Sequence, residues 1–201
     1  VYSASLSDPW FGGIQPVQFS TSFSHTKQYR YNYFTGRVDK SASFEITGAS
    51  VGLAKRLRIP DDYFTLSQSL AYQYYNLNNY YTGLFPFGDG SSNNLSYTVA
   101  LSRNNTFTNP IFPLGGSEFV LSARFSLPYS LWNGVDYANL GDLEKFQDDD
   151  GNPDQAKIDQ ERFKWLEFYK IKFQGTWYTR LIEKLVLRTH TEFGFLGAYN
   201  N

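Results

Sequence analysis

The residues best suited to chemistry in this sequence form an acidic run near position 150. Oxygen-bearing side chains recur there at every second position, a spacing typical of calcium-binding loops, on Asp148, Asp150, Asn152 and Asp154. Two features weaken this interpretation: Pro153 lies within the run, and Asp159 stands at the twelfth position, where such loops carry a glutamate. A solvated acidic loop is therefore the leading interpretation, and a calcium site is the weaker alternative.

Nucleophilic and thiol chemistry have little support in the sequence. It contains no cysteine, which excludes disulfides and thiolate metal sites. Its two histidines, His25 and His190, are far apart, and neither belongs to a recognisable nucleophile motif. The formal net charge of −1 argues against the concentrated basic surface that nucleic-acid binding needs. We therefore expect no enzyme activity, no cofactor and no nucleic-acid partner.

The elements that must position these residues are β-strands. In the segment 117–127, the apolar side chains of Phe119, Leu121 and Phe125 alternate with polar or smaller ones, and a period of two places them on one face of a strand. The same alternation recurs in segments that begin near Val1, Val17, Ala49, Phe64, Leu95, Ser117, Phe163 and Leu185. We predict about eight strands in an all-β, antiparallel meander.

The polar faces of these strands carry Ser, Thr, Gln and Gly rather than the Lys and Glu of a soluble sheet. Phe, Trp and Tyr make up 19% of the 201 residues, and no apolar stretch is long enough for a transmembrane helix. This pattern suits a barrel wall with lipid outside and water inside. It predicts part of a transmembrane outer-membrane β-barrel. A soluble β-sandwich that binds glycans through Tyr and Trp is an alternative that predicts more charge on exposed faces.

The segments between the predicted strands alternate between short and long. The short ones are "PWFGGIQP", "RIPDD", "NPIFPLGG" and "LIEK", and the long ones cover roughly 27–43, 77–93 and 129–162. Every second connector of a meander lies at the same end of the sheet, so the short turns share one end. Outer-membrane barrels have short periplasmic turns and long extracellular loops. We therefore expect short turns on the periplasmic side and long loops outside.

Two blocks of sequence resemble a known family. "SLSDPWFGGIQPVQFSTSFS" and "LSRNNTFTNPIFPLGGSEFVLSARFSLP" are similar to turn-and-strand segments of the BamA family of outer-membrane β-barrel assembly factors, and most of all to its Bacteroidetes members. The turn residues that carry the resemblance are Asp8, Pro9, Trp10, Phe11, Gly12, Gly13, Pro110, Phe112, Pro113, Gly116 and Ser117. The resemblance covers about 45 residues in two blocks, which come in the family's order.

The resemblance implies that residues 1–201 are a middle section of a larger barrel. The N-terminal POTRA domains of the family and its remaining strands would lie outside this chain. The family's Arg-Gly-Phe-type motif of the barrel interior is also missing, since no Arg-Gly dipeptide occurs in the sequence. The chain begins with Val1 and has no signal peptide, so we expect it to be a piece of a longer protein.

The function implied by the resemblance is the folding and insertion of β-barrel proteins into the outer membrane, without covalent chemistry. The expected partners are outer-membrane lipids, unfolded outer-membrane proteins and accessory assembly subunits, either lipoproteins or other outer-membrane proteins. A porin or transporter barrel, or another assembly or secretion barrel of the same superfamily, is the alternative. Aromatic residues near the predicted loop ends are expected to form a membrane-interface belt: Tyr72, Tyr74, Tyr75, Tyr129 and Trp132.

Overall fold

The computed structural model describes residues 1–13, 16–106, 113–148, 150–183 and 185–199. Its described strands are β1 (Tyr2–Asp8), β2 (Val17–Asn32), β3 (Arg37–Arg56), β4 (Phe64–Asn78), β5 (Gly90–Asn104), β6 (Gly116–Ser126), β7 (Tyr169–Ile182) and β8 (Leu185–Gly197). They form one antiparallel sheet in chain order. The prediction of an all-β meander of about eight strands is confirmed.

The sheet is open in the part of the chain that the structure describes. Each strand pairs with its neighbours in sequence, and β1 and β8 each have one paired edge and one free edge. The sheet does not close on itself, so the barrel remains a prediction. Strands of this length, from 7 to 20 residues, satisfy their backbone groups through long ladders, with register shifts between Tyr29 and Arg30 and between Arg180 and Ile182.

The connectors alternate between the two ends of the sheet. We name the end with connectors 9–16, 57–63, 105–115 and 183–184 the turn end, and the end with connectors 33–36, 79–89 and 127–168 the loop end. The prediction of a long loop over 27–43 is wrong. Residues of this segment extend β2 and β3 into a hairpin closed by a tight turn, in which Gly36 has a φ of 65° and its N–H donates to the Asn32 carbonyl.

The connector 127–168 contains the described helices. They are α1 (Ser130–Asn133), the 3-10 turns Leu140–Asp142 and Glu144–Phe146, and α2 (Gln155–Arg162). None of the helices in the described residues has the length and apolarity needed to cross a membrane. A small core of Leu140, Phe146 and Ile158, with Val135 and Tyr137 beside it, holds this connector together.

The predicted strand from Phe163 begins later than expected. The first residue of β7 is Tyr169, and the preceding segment runs along β5 instead. Asn93 and Trp165 form a parallel bridge, in which the Asn93 N–H donates to the Lys164 carbonyl at 2.8 Å and the Leu166 N–H donates to the Asn93 carbonyl at 2.8 Å. The pairing of β5 with β6 reaches only Ser96, so this segment satisfies the next part of the β5 edge.

Candidate functional site

The sheet has one apolar face that runs across all eight strands. The strand registers place its large side chains in continuous rows, among them Leu6, Phe23, Val51, Leu70, Tyr97, Leu121, Ile171 and Phe193. This distribution follows the predicted alternation in every strand. The apolar face therefore extends over the whole width of the sheet.

No second layer covers this apolar face in the described part of the chain. Val51, Leu70 and Phe193 remain 48%, 51% and 59% exposed, and no described element packs across them. Soluble monomers rarely expose contiguous apolar patches above several hundred Å². An apolar surface of this extent needs an apolar medium or an apolar partner.

A few polar side chains interrupt the apolar face, among them Thr21, His25, Thr47 and Gln68, and Gln68 bonds to a neighbouring strand. Gln68 takes the place of an aliphatic residue in β4, as the sequence indicates. Its Oε1 atom accepts a hydrogen bond from the Tyr97 hydroxyl of β5 at 2.7 Å. The Tyr97 hydroxyl and the Gln68 carbonyl oxygen are therefore paired within the apolar rows.

A row of aromatic rings crosses the apolar face from the turn end of β4 and β6 into β7 and β8. Phe119 lies 5.8 Å from Phe64 and 6.2 Å from Phe173 between ring centroids, and Phe173 stacks on Phe193 at 5.2 Å. The run therefore joins β4, β6, β7 and β8. This row is not among the sequence-based predictions, because its members are distant from one another in the chain.

The predicted aromatic belt at the loop end is brought together only in part. Tyr72 and Tyr74 share the apolar face, and the Tyr72 hydroxyl donates to Asn93 Oδ1 at 2.6 Å. Tyr75 points to the opposite face and packs against a buried cluster, which separates it from Tyr72 and Tyr74. In the connector 127–168, Tyr129 stacks on Trp165 at 5.3 Å between centroids, and Trp132 is exposed in α1.

A paired cation marks the turn end of the apolar face. Arg103 of β5 donates from Nε and Nη2 to Asp61 Oδ2 at 3.0 and 2.9 Å, and from Nη1 to Ser117 Oγ at 3.0 Å. Its guanidinium also lies over the rings of Tyr63 and Phe64, both at 5.7 Å. The charge is neutralised and the flat guanidinium packs on aromatic surface, as suits a boundary between apolar and polar surroundings.

The opposite, polar face changes in character across the sheet. On β2 and β3 it consists largely of Ser and Gly: Ser22 and Ser50 share a hydrogen bond of 2.7 Å, and a Cβ on Gly52 would lie 2.9 Å from Ser20 Oγ. On β6 to β8 the polar face carries charged groups, such as the ion pair between Lys172 Nζ and Glu192 Oε1 at 2.8 Å. The polar face is therefore small and uncharged on much of β2 and β3, and charged on parts of β6 to β8.

Both histidines bond to threonines on neighbouring strands. His25 Nδ1 lies 2.8 Å from Thr47 Oγ1, and His190 Nδ1 lies 2.9 Å from Thr176 Oγ1. The two imidazoles lie in different parts of the sheet, on β2 and β8, and on opposite faces. Each imidazole therefore has a hydrogen-bond partner within the sheet. That the protein is not an enzyme stays a prediction.

The first turn that carries the family resemblance is a compact unit. Asp8 Oδ1 accepts the Trp10 N–H at 2.9 Å, and the Phe11 ring stacks on Phe19 at 4.9 Å. Gly12 and Gly13 have φ values of 83° and 74°, a conformation that favours glycine. Pro9 lies between Asp8 and Trp10, the two residues that this hydrogen bond joins. Trp10 and Phe11 stay more than half exposed.

The second turn lies at the same end of the sheet as the first. Ser117 donates its N–H to Asn105 Oδ1 at 2.6 Å, and Gly116 has a φ of 95° with no room for a Cβ beside the Asn105 carbonyl. Pro113 is described, whereas Pro110 and Phe112 lie outside the described residues. The described residues of both turns are thus placed together at the turn end.

The connectors 79–89 and 127–168 fold over the polar face at the loop end, and we name them the loop cap. Phe85 and Phe87 from the first connector are buried against Leu77 of β4. Phe44, Tyr75, Phe163 and Leu166 surround this cluster, so both connectors and two strands contribute. The sequence predicts both connectors as long loops and gives no sign of this buried cluster.

Hydrogen bonds fix the second half of the loop cap to β5. Gln160 of α2 accepts the Ser91 N–H at 2.9 Å and donates to the Ser91 carbonyl at 2.7 Å. The buried Ser92 hydroxyl donates to the Phe163 carbonyl at 2.6 Å. The Gln160 side chain thus bonds to both backbone groups of Ser91, as a neighbouring strand would.

The acidic run holds its own turn together. Asp148 Oδ1 accepts the N–H groups of Asp150 and Asn152 at 3.0 and 2.8 Å. Asp154 caps α2 by accepting the N–H groups of Ala156 and Lys157. In the described residues, no group of three or more His, Cys, Asp or Glu side chains is placed to share a metal ion. These bonds explain the acidic run as turn and cap chemistry, and the calcium site keeps no geometric support from them.

Hydrogen bonds and burial shift the pKa values of three groups in the connector 127–168. The backbone N–H of Lys157 lowers the pKa of Asp154 below its ordinary value, and the Lys157 ammonium adds to this effect. The side-chain amide of Asn139 likewise lowers the pKa of Asp136, whereas burial raises the pKa of the Tyr137 hydroxyl. Glu167, which the sequence places on an apolar face, instead accepts the Ser130 hydroxyl at 2.6 Å at the start of α1.

Comparison with known proteins does not assign the chain to a family. No protein-family model matches the chain, and the search of curated proteins finds no significant match. The functional interpretation therefore depends on the two faces of the sheet, its two ends and the two turns.

Proposed function

We propose that this chain forms part of the wall of an outer-membrane β-barrel, with the turn end in the periplasm and the loop end outside the cell. The observation that carries this proposal is the uncovered apolar face that crosses all eight strands. A tilted strand needs about 9–11 residues to span a bilayer. Strands β2 to β8 are between 11 and 20 residues long and meet this requirement.

The two free sheet edges indicate that the wall continues. An unpaired strand in hydrocarbon leaves a row of N–H and C=O groups without partners, at several kcal/mol for each group. β1 and β8 each present such an edge in the described residues. We infer that further strands complete a barrel of larger circumference, whose exterior contacts outer-membrane lipids.

Single cysteines test the wall directly, because the native sequence has none. The protein would carry a fluorophore at Val51→Cys or Leu121→Cys on the apolar face, and at the matched controls Ser50→Cys and Ser122→Cys on the polar face. In vesicles with a quencher attached to the acyl chains, we expect quenching at the two apolar positions alone. Equal quenching at both pairs, or at neither, contradicts the proposal.

We further propose that the complete protein folds and inserts other β-barrel proteins into this membrane. Support comes from the two turn blocks and from their common location at the turn end. In this function the described strands are a scaffold, and substrate strands add to a sheet edge elsewhere in the barrel. Unfolded outer-membrane proteins and accessory subunits would then be its partners.

A porin or transporter is the alternative, and the loop cap bears on it. Phe85 and Phe87 bury their rings over the polar face at the loop end, where a wide aqueous pore needs an opening. This arrangement favours the assembly factor. Depletion of the native protein separates the two: an assembly factor lowers the folded fraction of many outer-membrane proteins at once. Loss of solute uptake with normal amounts of those proteins would identify a channel.

A further inference from the structure

We propose that the turn end carries a binding site for the phosphate of an anionic phospholipid headgroup. The site is an open cleft of about 520 Å³ between the first and third connectors of the sheet, lined by Pro16, Asp62 and residues 55–59. This inference rests on the proposed membrane wall and adds to it a ligand of defined chemistry. Three cationic side chains and one carboxylate line the cleft: Lys55, Arg56, Arg58 and Asp62.

None of the three cations has an ion-pair partner in the described part of the chain. The Arg56 Nε–H donates to the Asp62 backbone carbonyl, whereas the structure gives Lys55 and Arg58 no side-chain hydrogen bond in that part of the chain. Some cations of the sheet do have a carboxylate partner on a neighbouring strand or turn, as in Lys172 with Glu192 and Arg103 with Asp61. The exposed pair at 55 and 58 is therefore free to bind an external anion.

The position of the cleft selects a lipid as the source of that anion. Lys55 follows Leu53 on the apolar face, so its ammonium lies where the apolar rows end. Ile59 lines the same cleft and is 83% exposed, which provides apolar contact beside the cations. A phospholipid presents this combination, a phosphate above hydrocarbon, at one depth. Phe64 of β4 and Arg103 of β5, which pair with each other, mark the same boundary at the turn end.

Lipid selectivity of the native protein tests the site. The protein would be reconstituted in mixed phosphatidylcholine and phosphatidylglycerol, and the lipids retained on it would be measured by native mass spectrometry. We expect a preference for phosphatidylglycerol that falls roughly tenfold in Lys55→Gln/Arg58→Gln. The matched control, Arg37→Gln/Lys40→Gln, removes two exposed cations near the loop end and should keep the preference.

The outcomes separate this inference from the wall itself. A label at Val51→Cys in the same double variant reports whether the apolar face remains in lipid. If the label is quenched and phosphatidylglycerol is retained as in the parent, the headgroup site is wrong while the wall stands. If inorganic phosphate binds the detergent-solubilised protein as tightly as the lipid does, the ligand is free phosphate and the lipid assignment is overturned. An unquenched label in the parent protein refutes the wall, and the headgroup site with it.

Discussion

Tyr97 donates its hydroxyl hydrogen to Gln68 across β4 and β5, at 2.7 Å, within the apolar face of the sheet. The two polar atoms satisfy each other where their neighbours are aliphatic. In water this bond competes with solvent and adds little, but in hydrocarbon each partner depends on the other. The contribution of this hydrogen bond to stability therefore indicates whether water or hydrocarbon covers the apolar face.

Tyr97→Phe should destabilise the protein in lipid by about 1–3 kcal/mol, because it leaves the Gln68 amide without a partner. The double variant Gln68→Leu/Tyr97→Phe removes both polar groups and should return to within about 1 kcal/mol of the parent. Equilibrium unfolding by urea from lipid vesicles measures both values. A loss below about 0.5 kcal/mol in the single variant would indicate a face exposed to water.

Gln160→Ala should loosen the loop cap, because the glutamine makes two hydrogen bonds to the Ser91 backbone. Local opening of the connector 127–168 should become easier by about 1–3 kcal/mol, from about 0.5–1.5 kcal/mol for each bond. Limited proteolysis with mass spectrometry measures the cleavage rate. Gln155→Ala in the same helix is the control, since that side chain bonds to Asp159 of α2. Equal cleavage in the two variants contradicts a cap fixed through Ser91.

Phe85→Ala should have the largest effect on the loop cap, because this buried ring contacts Phe87 and Tyr75 at 5.2 and 5.6 Å between centroids. Removing a buried phenyl ring costs about 3–5 kcal/mol. The fluorescence of a probe on the connector 79–89 should then show a mobile segment. Phe34→Ala removes a fully exposed ring from the hairpin tip and should change stability by less than about 0.5 kcal/mol.

The α2 cap should make the connector 127–168 sensitive to acid. The pKa of Asp154 is lowered in the folded chain, so its ionised form stabilises the fold. This contribution is complete above the unfolded pKa of about 3.9 and disappears as the pH falls through the lower folded value. Amide hydrogen exchange in α2 should stay constant from neutral pH to about pH 4, after correction for intrinsic rates, and protection should fall below it. Asp154→Asn keeps a capping oxygen without this titration, and a similar acid response in that variant would exclude Asp154 as the cause.

The faces of the strands were predictable from the sequence, because burial or exposure of one face imposes a period of two. Phe23, Leu70 and Phe193 lie on the face to which their neighbours assign them. The period of two limits the register to even steps, and turn geometry and bulges such as the one between Tyr29 and Arg30 then set it, which the alternation alone does not show. Face assignment therefore came from local sequence, and the aromatic row across β4, β6, β7 and β8 appeared only with the registers.

The hairpin over 27–43, "KQYRYNYFTGRVDKSAS", was missed although Tyr29, Tyr31 and Tyr33 alternate with polar residues, because the half that enters β3 is almost entirely polar. Its pairing is held by the backbone ladder and by local contacts such as Arg30 with Asp39 at 2.6 Å. The sequence signal of the hairpin is therefore confined to its β2 half and to the turn at Thr35 and Gly36.

The loop cap was beyond prediction for a different reason. Phe163 and Trp165 alternate as they would in a strand, yet Phe163 packs in the buried cluster and Trp165 stacks on Tyr129. Extended chain beside β5 has the same periodicity as a strand inside the sheet. The choice between the two depends on Phe85 and Phe87, which lie about 80 positions earlier in the sequence.

The tight approach of Gly52 to Ser20 on the polar face has a mechanical consequence. In β2 and β3 the residues on that face are small and leave no room for a Cβ on Gly52, whereas Val51 and Leu53 on the other face are branched and bulky. These two strands are thus wedge-shaped in cross-section, and they fit best when this part of the sheet bends with the small side inward. The alternation that places apolar and polar side chains on opposite faces also gives this part of the sheet a preferred direction of curvature, before any further strand joins.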